Sequence, residues 1–75
     1  MTFKLFNALN EVFKEHKEVH LRHYAFNDEL KDYDYGIVGR YDEDSDIEEI
    51  NLDMETYPYA KLYVFDDDFY EELKY

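Results

Sequence analysis

Residues 19–26 read Val19-His20-Leu21-Arg22-His23-Tyr24-Ala25-Phe26, and their side chains fall into two alternating sets. Val19, Leu21, His23 and Ala25 occupy one side of an extended chain and His20, Arg22, Tyr24 and Phe26 the other, the period-two signature of a strand. A strand with an apolar side needs a cover, and the preceding residues supply one. Thr2 is placed to cap a helix in which Phe3, Leu5, Phe6, Leu9, Val12 and Phe13 follow helical spacing. Those six occupy about half the helix circumference, wider than a minimal amphipathic stripe. Such a face can cover a sheet and also meet a second subunit, so a homodimer through this first helix is expected.

Downstream, Asn27 to Asp34 is polar and connects to a second strand over Tyr35–Tyr41, where Gly36 and Gly39 mark bulges or close backbone approaches. Asp42–Asp46 reads as a turn. Ile47, Ile50 and Leu52 suggest a short strand of broken period, and Thr56–Tyr59, with the only Pro, turns the chain. Lys61–Phe65 is a strand with Leu62 and Val64 on one side and Tyr63 and Phe65 on the other. Asp66–Asp68 then precedes Phe69 and Leu73 at i, i+4, which predicts a short C-terminal helix with acids at its N-terminus. The expected fold is α+β: an N-terminal helix packed on a three- or four-stranded, mainly antiparallel sheet, then a short C-terminal helix. No repeat or linker interrupts residues 1–75, so one acidic domain is expected.

The 75 residues include nine Tyr and six Phe, against the aromatic-poor composition that keeps acidic chains disordered. There is no Cys, hence no disulfide framework and no thiolate metal site. No basic, apolar leader opens the sequence, and no stretch approaches the roughly 20 apolar residues of a membrane span, so a cytoplasmic protein is expected.

Charge carries the functional information. Twenty acids against eight bases give a net charge of −12, beyond the magnitude of about 2–8 that keeps a small domain soluble. Residues 1–26 balance at +1, with Lys4, Lys14, Lys17 and Arg22 against Glu11, Glu15 and Glu18, so residues 27–75 hold −13. Asp42, Glu43, Asp44, Asp46, Glu48, Glu49, Asp53 and Glu55 form one run without a base; Asp66, Asp67, Asp68, Glu71 and Glu72 form a second. Anionic membranes and nucleic acids are repelled by such a surface, leaving basic proteins or cations as partners.

Several chemistries fail on residue type or spacing. Asp44, Asp46, Glu48 and Glu55 match positions 1, 3, 5 and 12 of a calcium loop, but Glu49 stands where the sharp turn requires Gly. His16, His20 and His23 lack the HExxH spacing, so no metal site or cofactor is expected. One Ser, Ser45, in an acidic loop gives no nucleophile with a base, and no enzymatic activity is expected.

The runs YDEDSDIEEINLDMETY (41–57) and FDDDFYEEL (65–73) resemble the small acidic DNA-mimic inhibitors that phages use in host takeover. That group includes inhibitors of restriction enzymes, of RNA-guided nucleases and of nucleoid proteins. Carboxylates satisfy Lys and Arg side chains that evolved to neutralise phosphates. An extended strand advances about 3.3 Å per residue, close to the phosphate rise of about 3.4 Å per strand. Tyr41, Tyr57, Tyr59, Tyr63 and Tyr70 would add flat surfaces for Arg and Lys stems. The resemblance covers the whole chain in size, charge and aromatic content. It implies a basic DNA-binding partner in the host bacterial cytoplasm, with the histone-like nucleoid protein HU favoured. The thirteen acids of the two runs are the expected contacts. An antitoxin or immunity-type inhibitor of one nuclease or toxin, an anti-restriction or anti-CRISPR inhibitor, and an acidic adaptor or cation buffer are the other classes this surface would serve.

Overall fold

The computed structural model describes all 75 residues. Helix α1 spans Phe3–Lys14, followed by strands β1 (Glu18–Asn27) and β2 (Asp32–Tyr41), helix α2 (Ile47–Thr56), and strands β3 (Lys61–Asp66) and β4 (Phe69–Glu72). The four strands form one sheet in the order β2-β1-β3-β4, with every neighbouring pair antiparallel. The α+β class and the N-terminal helix on an antiparallel sheet are therefore as expected from the sequence.

The alternation in residues 19–26 sets the layers. Val19 and Leu21 are fully buried and join Leu5, Leu9 and Phe13 of α1, Ile50 of α2, Tyr41, Leu62 and Leu73 in a single core. Both helices thus pack on one side of the sheet. Thr2 caps α1 through a hydroxyl that accepts from the Leu5 amide at 3.2 Å. The helix ends with amide bonds from His16 to the Phe13 carbonyl and from Lys17 to the Val12 carbonyl. That is a Schellman closure, with His16 at φ 58° in the left-handed position that Gly usually fills.

Two expected elements are corrected. Ile47, Ile50 and Leu52 lie in a helix, not a strand: the Asp46 carboxylate accepts from the Glu48 amide, and Ile47, Ile50 and Met54 form the seam that meets the core. The expected C-terminal helix is strand β4. Asp67 and Asp68 both adopt positive φ (46° and 70°), giving a two-residue reversal between the paired residues Asp66 and Phe69. Mirror-type turns of this kind match strand twist, and Asp tolerates the left-handed region, so β4 pairs back on β3.

Edge strand β2 carries a bulge at Val38, where the register with β1 slips between Leu21–Gly39 and Arg22–Ile37. The bulge lies beside Gly39, as the glycine there predicts. The Tyr41 ring folds back over Gly39 so closely that a Cβ at 39 would overlap its hydroxyl. Gly36 has no such neighbour. The turn expected around Pro58 is present, closed by the Ala60 amide on the Tyr57 carbonyl.

Candidate functional site

Strand order brings the two acidic runs together. β1 begins, β2 ends, β3 ends and β4 begins at the same end of the sheet. The turn after β2 (Asp42–Asp46) and the turn between β3 and β4 (Asp66–Asp68) therefore share that end with the α1–β1 junction. Side-chain contacts bind the three segments: His16 Nδ1 lies 3.0 Å from Glu43, and Lys17 Nζ donates to Glu15 at 3.1 Å and to Asp66 at 3.2 Å. Those two carboxylates, Glu15 first, raise the Lys17 pKa above its ordinary 10.5. Glu15, Glu18, Asp42, Glu43, Asp44, Asp46, Asp66, Asp67 and Asp68 make an acidic pole, with α2 starting there and adding Glu48 and Glu49.

Many of these acids also shape the backbone. Asp42 accepts from the Asp44 amide at 2.9 Å, and its own amide donates to Ser45 Oγ. Asp46 caps α2, where Glu48 and Glu49 lie against the positive end of the helix dipole. Asp53 points inward and accepts from the Tyr41 hydroxyl at 2.7 Å. Burial first, then this bond, raises the Tyr41 pKa above 10.0. Glu55 accepts from Asn51 and lies two turns beyond Glu48, about 10 Å away along the axis. Because residues 47–56 are helical, the spacing match between strand and phosphate rise does not apply to this run. The calcium-loop spacing also fails, since the positions needing a tight loop lie on a helix.

Glu71 and Glu72 lie apart from the pole on β4, facing opposite sides of the sheet; Glu72 comes within 3.8 Å of Lys61. Of the five tyrosines, Tyr41 is buried, while Tyr57 and Tyr59 lie near the turn at the opposite end of the sheet from the pole. Tyr63 and Tyr70 belong to the sheet side that no helix covers.

The sequence reading named Tyr63 and Tyr70 on that open side but missed the continuous aromatic surface they belong to. Tyr24, Phe26, Tyr33, Tyr35, Tyr63 and Tyr70 line it, with ring centroids in neighbouring pairs 4.8–6.3 Å apart. Arg22 lies among them, its guanidinium 4.2 Å from the Tyr70 ring centroid and 5.4 and 5.7 Å from those of Tyr35 and Tyr63. The even-numbered residues of β1 were the available signal. Beside Arg22, His20 is only 3% exposed, stacked on Phe65. The Glu18 carboxylate can only accept, so His20 Nε2 donates to it at 3.0 Å, and in the neutral ring Nδ1 accepts from the Tyr70 hydroxyl at 3.1 Å. This chain of bonds ties β1 to β4 across β3. Comparison of the chain with protein-family models, curated proteins and solved structures finds no match.

Proposed function

We propose that this protein is a non-enzymatic DNA-mimic inhibitor whose acidic pole occupies the DNA-binding surface of a basic protein, with the nucleoid protein HU as the favoured target. The supporting observation is the gathering of carboxylates from the α1–β1 junction, the 42–46 turn and the 66–68 turn at one end of the sheet, where Lys17 is held between Glu15 and Asp66 and His16 lies against Glu43. A basic groove built to neutralise phosphates gains charge-assisted hydrogen bonds from such a cluster without reading any base. The turn at Asp67-Asp68 adds weight. Asn-Gly is the favoured pair for two successive positive-φ residues, so acids at both positions favour charge over turn propensity.

The test is displacement. Labelled duplex DNA is bound to purified HU, the protein is titrated in, and released DNA is followed by fluorescence anisotropy from 50 to 300 mM salt. Competitive release that weakens steeply with salt supports the mimic, because long-range charge attraction is screened over about 10 Å at 0.1 M. No release at the lowest salt removes HU as target. Capture of one nuclease or toxin that persists at high salt moves the reading to an immunity-type inhibitor.

A further inference from the structure

We propose that the open, aromatic side of the sheet is the interface of a symmetric dimer between two copies of this chain. Both helices lie on the other side, so Tyr24, Phe26 and Tyr33 are each more than half exposed, and Tyr35 and Tyr70 more than a third. Monomers rarely leave a contiguous patch of this kind in water, and aromatic residues with Arg are what protein interfaces enrich.

The distribution of charge selects the occupant. The open side carries Arg22, Arg40 and Lys61 against Glu18 and Glu72, a balance of +1 in a chain of −12. The rest of the molecule therefore holds −13. On this surface the acids are outnumbered by bases, so two copies can meet here without net repulsion. It also carries both signs, as a self-complementary two-fold contact requires. A basic partner would find Arg22 and Arg40 facing it here and is better served at the acidic pole. Nucleic acid would meet little net attraction and a strongly anionic surround.

Arg22 supplies an independent reason. It forms no ion pair with any of the twenty acids of its own chain, and its buried Nε has no hydrogen-bond acceptor. A carboxylate from a second copy would pair with the guanidinium nitrogens that are not buried. Size fits a modest interface. Strands of ten, ten, six and four residues at about 3.3 Å per residue, set about 4.8 Å apart, give roughly 475 Å² in plane before side-chain relief is counted. A standard interface takes about 800 Å² from each partner.

The experiment is sedimentation equilibrium of the full chain from micromolar to millimolar concentration in 0.15 M salt, for the wild type, Y24E/Y33E and F3E/F6E. The second pair tests the apolar face of α1, where Phe3 is 79% exposed. Expected are twice the monomer mass for the wild type, at least tenfold weaker association for Y24E/Y33E with unchanged circular dichroism, and no change for F3E/F6E. A monomer at every concentration overturns the proposal, as does loss of the dimer in F3E/F6E alone. Should Y24E/Y33E unfold, a dilution series of amide spectra on the wild type decides. Shifts confined to the open-side residues of β1–β4 support the interface, and shifts confined to α1 overturn it. Neutralising Glu43 and Asp44 leaves the dimer mass unchanged, so the dimer and the acidic-pole reading fail separately.

Discussion

The Tyr41 hydroxyl donates to the Asp53 carboxylate at 2.7 Å, joining the end of β2 to the last half of α2 across the core. The bond uses one acid of the 42–55 run to anchor the helix that carries its neighbours. A hydrogen bond to a charged acceptor is worth about 1.5–3 kcal/mol. Tyr41→Phe is expected to lower unfolding stability by about that amount at pH 7, measured by urea denaturation; an unchanged midpoint would show that Asp53 finds an equal partner.

The same residue sets an alkaline limit. The folded chain holds the Tyr41 proton above its ordinary pKa of 10.0. Stability from this group is therefore fully present below pH 10. Above it, the unfolded chain releases a proton that the folded chain keeps, and stability falls by up to about 1.4 kcal/mol per pH unit. Denaturation at pH 9, 10 and 11 is expected to show a steeper loss for the wild type than for Tyr41→Phe, and parallel curves would contradict it.

Gly39 lacks a Cβ because the Tyr41 ring occupies that space. Gly39→Ala forces the ring away from Asp53 and is expected to cost about 1–3 kcal/mol as overpacking. Gly36→Ala, with nothing nearby, serves as the control and is expected to change stability by less than about 1 kcal/mol.

Three left-handed residues, His16, Asp67 and Asp68, offer stabilising changes. His16→Gly relieves a conformation that costs a side-chain-bearing residue about 1–2 kcal/mol, against loss of an exposed contact with Glu43 worth about 0–1 kcal/mol. A higher melting temperature is the expected result. D67N/D68G places the favoured pair in the β3–β4 turn and is also expected to raise it. In the DNA-displacement assay, however, this second variant is expected to compete less well than the wild type. Equal competition would take the 66–68 turn out of the binding surface.

The legible part of the fold was the part with long periodicity. Thr2 to Phe13 and Val19 to Phe26 each repeat their pattern often enough to set an element and its buried side. Helix α2 was obscured because acids separate its few apolar residues, although Asp46 as cap and Ile47, Ile50 and Met54 as seam were readable. Strand β4 was obscured because Phe69 and Leu73 also fit a helix, and the deciding fact is the backbone conformation of Asp67 and Asp68. The acidic residues were found by composition alone. Their convergence was not legible, since it depends on β1 pairing with both β2 and β3.

Edge strand β2 presents ten residues of backbone with no neighbour on its outer side, the geometry from which fibrils grow. Its protection is the Val38 bulge, Asp32, Asp34 and Arg40, together with a net charge that holds copies apart. That last safeguard vanishes near pH 4.3, where the chain is neutral. Acidification thus leaves that edge open to a second copy, and the surface charge proposed to meet a cationic partner is also what opposes self-polymerisation.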